Sequence, residues 1–440
     1  MPGMRIEMED AMCHAYPILP PKLIPTEEST SISTTIANNN NKTPQSSSSS
    51  LSSIGFFAVF DGHGDGGIVS NYLANNIIPR FQETESWKQY DGSNVHALVT
   101  ALTKACAIID QDLRTSQSSH ASSSSSAFLD HSRNGGSTGI MAIVTHHYIM
   151  VANVGDSRCI LVQKQLTEND NDIKTLETNL SQLEIVTVKE DDETTTSTTN
   201  ASSVTLKNDD NPMDPQDSNT DKTSDSSKND MNHNNTDIKV LPLSKDHKPD
   251  LPHEKERIEK AGLQVKGETF EENGVTNTIH KIWKSDTERI AVSRAFGDFD
   301  YKSNPDVAMD SQAIISTPEI VVHKRDPSKD MYLILACDGV YDVMSNHEVG
   351  TFVKEKADEL HFKKEGSTQV QEEMDVNEEY SPVLPKVGDA LLDECLERKS
   401  TDNMSVMIVA LPTSTQSEEY DTGKTTTDGS GARALTFTDE

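Results

Sequence analysis

Apolar residues and positive charge are both scarce in this chain. Hydrophobic side chains make up 34% of its 440 residues and aromatic ones 5%. An ordinary globular domain carries roughly 45–50% apolar residues, glycine included. Lysine and arginine number 39 against 71 aspartates and glutamates, for a formal charge of −32. That balance excludes a basic face built to grip phosphate backbones, so no nucleic-acid partner is expected. No apolar run approaches the roughly 18 residues of a membrane span, so no membrane partner is expected. The first ten residues lack the apolar stretch of a signal peptide, and a location in cytoplasm, nucleus or both is expected. Cys13, Cys106, Cys159, Cys337 and Cys395 are odd in number, far apart and form no CxxC pair. A disulfide framework or structural zinc site is therefore not expected, and thiols in a reducing compartment are. No repeat of fixed period is present.

The low apolar average comes from dilution. Residues 22–53, 115–134, 166–240, 362–385 and 413–440 are polar, Ser/Thr/Asn-rich or acid-rich. Such compositions bury too little apolar surface to offset chain entropy and read as disordered insertions and a tail. What remains suits one sizeable domain.

That remainder alternates strand and helix patterns. Ile54–Phe60 is a short run of β-formers ending at Asp61-Gly62. Runs at 140–145 and 148–154 flank a His-His turn and predict a hairpin, and Cys159–Val162 predicts a third strand. Residues 331–336 and 404–411 predict two more. Apolar spacing of a helix runs through Val95, Leu98, Leu102, Cys106, Ile109 and Leu113. It recurs at Val349, Phe352, Val353 and Leu360, and more briefly from Val69 to Ile77. A further helix is predicted after Lys248-Pro249, ending at Gly262. Hairpin-linked strands favour antiparallel sheets with helices covering their outer faces.

Carboxylates sit where the apolar runs stop. Asp61 follows Phe56–Phe60, Asp156 follows Met150–Val154, and Asp338 follows Leu333–Cys337. Asp402 precedes the last strand, and Glu9 and Asp10 lie in the first segment. Alone, each has a plainer reading: a turn, an Asx cap, surface charge. A carboxylate at the mouth of a buried strand is costly to desolvate unless something compensates it. Several at sheet ends could share cations, and an all-oxygen donor set points to a hard ion, Mg²⁺ or Mn²⁺.

Seven motifs occur in one order: Arg5–Ala11, Phe60-Asp61-Gly62-His63-Gly64, Gly136-Ser137-Thr138 with Asn153–Arg158, Leu243–Pro249, Ala291–Asp298, Ala336–Val343 and Thr401–Ser405. In this the chain resembles the metal-dependent serine/threonine protein phosphatases of type 2C (the PPM family). The resemblance implies an α+β fold, a four-layer α-β-β-α sandwich of two antiparallel sheets flanked by helices. It implies a catalytic domain over 1–412, interrupted by the insertions, and an acidic tail over 413–440. It also implies hydrolysis of phosphoserine and phosphothreonine in proteins by a water bridging two metals, with a weaker third ion. Asp61 would bridge the pair, the Gly62 carbonyl would hold one ion, and Asp338, Asp402 and Glu9 would complete the set. Asp156 and Asp342, with Asp338, match the third position. Arg5 would bind the substrate phosphate, His63 would be the general acid, and Asp10 would support a ligand. The substrates would be phosphorylated proteins and the enzyme a monomer.

Two departures from the family pattern stand out. The strand usual upstream of the Arg5 segment is expected to be missing or shortened, since Met1 stands four residues before it, and the loop after His63 carries one extra residue. Ser293–Asp298 is expected to brace the cleft, and Gly136–Gly139 to be tight backbone. Rival chemistries fit poorly. No cysteine has an arginine six positions on, and Gly423-Lys424-Thr425 has Glu418 where a P-loop has its first glycine. The alternative is a catalytically impaired binding module on the same fold.

Overall fold

Alternation along the central strands dictates the layering. In Ile54–Phe60, Phe56, Ala58 and Phe60 join one apolar cluster with Leu73, Ile77 and Leu102. Phe57 and Val59 join another, with Leu161, Leu333 and Met407. Successive side chains of a strand face opposite ways, so a wholly apolar strand must be covered on both faces. Each such large side chain contributes about 1.5–3 kcal/mol on burial.

A computed structural model describes residues 7–21, 54–64, 66–119, 135–165, 183–186, 237–272, 275–365, 383–412 and 433–437. The described residues open with β1 (Ala11–Ile18), β2 (Ile54–Phe60) and β3 (Gly62–His63), then α1 (Ile68–Glu83), α2 (Glu85–Lys88) and α3 (Val95–Ser119). Next come β4 (Gly136–Ser137), β5 (Gly139–Val144), β6 (Tyr148–Val154), β7 (Arg158–Lys164), β8 (Leu183–Val186) and β9 (Ile238–Pro242). After α4 (Pro252–Lys260) follow β10 (Gln264–Glu272), β11 (Val275–Trp283), β12 (Arg289–Ile290) and β13 (Phe296–Gly297). The last part holds β14 (Glu319–Lys324), β15 (Asp330–Ala336), α5 (Asp338–Tyr341), α6 (Asn346–Glu365), α7 (Val383–Glu397), β16 (Val406–Ala410) and β17 (Arg433–Phe437).

Among the described residues, one sheet runs β1-β2-β5-β6-β14-β8 and the other β17-β16-β15-β7-β9. All pairings in both are antiparallel. Between them lies a core of Phe57, Val59, Ile140, Leu161, Leu333, Leu335 and Met407. α1 and α3 cover the outer face of the first sheet, and α6 and α7 that of the second. The four layers are those expected. A separate sheet of β10, β11 and β12 stands beside them.

Some structure lies within the expected insertions. β8 adds to the edge of β14, and the acidic tail supplies β17 at the edge of β16. Both are short stretches of β-formers, and an open sheet edge offers unpaired backbone groups to such stretches. α3 runs on to Ser119, α6 runs on to Glu365 and α7 begins at Val383, so those segment borders move inward. The expectation for 22–53 and that for an upstream strand lie outside the described residues, as does Arg5. No described helix is long and apolar enough to cross a membrane.

Candidate metal centre

Strand register brings the carboxylates to one end of the sandwich. Ala11 pairs with Phe60, so Asp10 before β1 and Asp61 after β2 are neighbours. β5 links Val59 to Ile140 and Gly139 to Val154, which brings Asp156 after β6 to the same end. In the second sheet Ala336 pairs with both Arg158 and Val406. That sets Asp338 after β15 beside Asp402 before β16. Asp338 opens α5, and Asp342, whose amide donates to the Asp338 carbonyl at 2.7 Å, lies one turn on.

Crowding of like charge is visible in the titration of these groups. Asp61 is held well above the usual carboxylate range by burial and by the charges of Asp338, Asp10 and Asp156. Asp338 is pushed up to about 8 by burial and by Asp156, Asp342 and Asp402, with Lys248 opposing. Burial raises Asp10 to about 6, and the Asp402 charge adds to it. Asp342 rises to about 6 for the same reasons, with burial first. A buried carboxylate that cannot shed its charge into water needs a cation or a proton.

The donor set fits a hard divalent ion. Asp10, Asp61 and Cys337 each offer an atom within 4.8 Å of the others. Cys337 is held as a thiol, its pKa raised well above the ordinary value by burial and then by Asp10, Asp61 and Asp338. It donates to the Asn403 carbonyl at 3.4 Å and accepts from the Ser405 amide at 3.1 Å, which leaves the carboxylates as the donors. Both Asp10 carboxylate oxygens are buried, and neither makes a well-formed hydrogen bond among the described residues. Asp10, expected to support a ligand, lies beside Asp61 and Cys337.

The other expected residues frame it. The Glu9 amide donates to Asn403 Oδ1 at 2.9 Å, and Glu9 Oε1 accepts from the Gly66 amide at 2.9 Å, tying the first segment to the loop after His63. A Cβ on Gly62 would lie 2.3 Å from the Glu9 carbonyl oxygen, so only glycine admits this approach. His63 Nε2 lies 2.8 Å from Asp298 Oδ2. Sequence reasoning missed Lys248, read only as part of a loop, whose ammonium contacts Asp156 at 2.5 Å. Burial alone would lower its pKa, but Asp156 and Asp246 more than reverse this. Its one signal was the Asp246-His247-Lys248 motif itself.

Residues 26–181 and 231–404 match the sequence model of the protein phosphatase 2C family. The chain belongs to that family. Over 169 residues it is 35% identical to protein phosphatase ppm-1.A of Caenorhabditis elegans, covering 38% of this chain and 28% of that protein. It is 26% identical over 371 residues to protein phosphatase 1B of Mus musculus, covering 82% of this chain and 63% of that one. The aligned stretches thus span less than two thirds of these curated relatives. A crystal structure of serine-threonine phosphatase 2C from Toxoplasma gondii shares the fold, with a TM-score of 0.51 at 18% identity, covering 93% of this chain and 92% of that one.

Proposed function

We propose that this protein is a metal-dependent protein serine/threonine phosphatase that hydrolyses phosphoserine and phosphothreonine esters in proteins. The observation that carries the reading is the convergence of Asp10, Asp61, Asp338 and Asp342, with pKa values raised by burial and mutual repulsion. Asp61, the Gly62 carbonyl, Asp338, Asp402 and Glu9 would hold a pair of Mg²⁺ or Mn²⁺ ions. Asp156, Asp338 and Asp342 would hold a third, more weakly. Such ions, when bound, acidify water and neutralise phosphate charge.

The chain's own residues do the rest. Arg5 would fork onto the phosphate oxygens, matching a planar cation to a dianion. His63 would pass a proton to the departing serine or threonine oxygen, a leaving group too basic to depart unaided. Asp10 would orient water through its buried carboxylate oxygens. The net charge of −32 disfavours nucleic acid and anionic membrane surfaces as partners, and the protein would work as a monomer in cytoplasm or nucleus. The test is phosphate release from a phosphothreonine peptide with Mn²⁺. Activity abolished by chelator and by Asp338→Ala is expected. Peptide binding without phosphate release would contradict the reading.

A further inference from the structure

His63 does not stand alone at the cleft. A three-rung ladder of two-residue strands, β3-β4-β13, pairs His63 with Gly136 and Gly136 with Gly297. The residue after Gly297 is Asp298, whose side chain is 2% exposed and whose Oδ2 meets His63 Nε2 at 2.8 Å. Gly136 lies between the two: a Cβ there would come within 2.1 Å of Asp298 Oδ2 and 2.7 Å of His63 Nε2.

The backbone that presents Asp298 is unusual and firmly held. Asp298 has φ 50° and ψ 39°, the left-handed region, directly after Gly297 at φ 72°. Side-chain-bearing residues adopt that region at a cost and keep it only where the surroundings dictate it. Here the Asp298 amide donates to the Gly135 carbonyl at 3.0 Å. The Gly297 amide donates to Asp110 Oδ1 at 2.9 Å. Asp110, on α3, is itself held by the buried Lys302 ammonium, which donates to both its oxygens and to the Ala295 carbonyl, each at 2.9 Å. A buried ion pair thus anchors a strained turn whose product is one carboxylate aimed at one imidazole nitrogen.

We propose that Asp298 is a positioning residue for phosphoester cleavage, fixing the ring plane and tautomer of His63 so that Nδ1 faces the leaving oxygen. This rests on the reading of His63 as general acid. Asp298 accepts from Nε2–H and keeps that proton in place throughout. The Nδ1 proton passes to the serine or threonine oxygen as its bond to phosphorus breaks, while a water oxygen forms the new bond to phosphorus and releases one of its protons to solvent. The products are alcohol and inorganic phosphate, and neutral His63 regains its Nδ1 proton from solvent. A carboxylate that orders an imidazole this way sets the nitrogen that transfers the proton.

The experiment compares the full chain with Asp298→Asn in Mn²⁺, using phenyl phosphate and dinitrophenyl phosphate. Only the phenolate, the poorer leaving group, depends strongly on a proton donor. The loss in kcat on phenyl phosphate is expected to exceed that on dinitrophenyl phosphate by on the order of tenfold or more. In a His63→Ala background, adding Asp298→Asn should leave the ratio of the two rates unchanged. Nitrogen NMR of His63 at alkaline pH, assigned by its absence in His63→Gln, should show the Nε2–H tautomer in the native chain and a mixture in Asp298→Asn. Equal losses on both substrates, or an unaltered tautomer, would overturn the proposal. A native chain that releases no phosphate would sink the phosphatase reading, and the tautomer would still decide the role of Asp298. Should Asp298→Asn not fold, Asp298→Ser is read in the same way.

Discussion

Lys248 and Asp156 form an ion pair at 2.5 Å within a ring of carboxylates. Asp156 is nearly buried and Lys248 is 41% exposed along its side chain, so the ammonium reaches in from the cleft wall. It also opposes the charge on Asp338 and Asp342. Lys248→Met is therefore expected to lower the stability of the metal-free protein at about pH 8 by about 1 kcal/mol, since a partly solvated pair is worth little more than that. At about pH 5, where Asp338 and Asp342 hold protons and need no cation, the loss should shrink. Urea melts at the two pH values check this, and an equal loss at both would contradict it.

The raised carboxylates give metal-free stability a definite slope. Asp338 titrates at about 8, and Asp10 and Asp342 at about 6, in the folded state, against 3.8 for an ordinary aspartate. The folded chain thus binds protons more tightly than the unfolded one. The stability this confers is fully present below about pH 3.8 and is lost progressively as pH rises from there to about 8, the folded value of Asp338. In chelator, Tm should fall over that window. Mn²⁺ should restore it most at the alkaline end. A flat or rising profile in thermal melts would count against the charge cluster.

Asp61→Asn removes a buried ionisable group while keeping its shape. The metal-free protein should become more stable at about pH 8, by about 1–2 kcal/mol, because folding no longer has to hold either a proton or a buried charge at that position. Phosphate release should drop by on the order of a hundredfold or more. Stability gained as function is lost marks a site kept strained for its chemistry. Denaturant melts and peptide dephosphorylation on the same preparation read both.

Gly136→Ala tests the approach of His63 to Asp298 from the outside. The added methyl meets both side chains at less than contact distance. Overpacking of this kind costs about 1–3 kcal/mol. The variant should fold with that penalty and lose activity by on the order of tenfold or more. Native activity with a native melting temperature would show that the pair has room to spare.

The layered fold was largely legible before any coordinate. The apolar run Ile54–Phe60 reads as a strand and is one, and the helical spacing from Val95 to Leu113 matches α3. α7 escaped notice although Val387, Leu391 and Cys395 repeat every four residues, because its first turn merges with an acidic segment and carries Pro385. The hairpin of β10 and β11 also escaped, since its charged residues show no clean alternation.

Chemistry at the strand ends was legible where it followed the chain: an aspartate after an apolar run is a local pattern. Pairings between distant segments were not. That Asp298 meets His63 across 235 positions depends on β13 and β3 flanking β4, and on Asp110 and Lys302 bracing the turn. Nothing in the neighbourhood of any one of these residues encodes its partner. Hydrophobic periodicity is written residue by residue and picks the layers. Registers between strands and the burial of ion pairs arise only when the whole chain packs, and those decided which charges face one another.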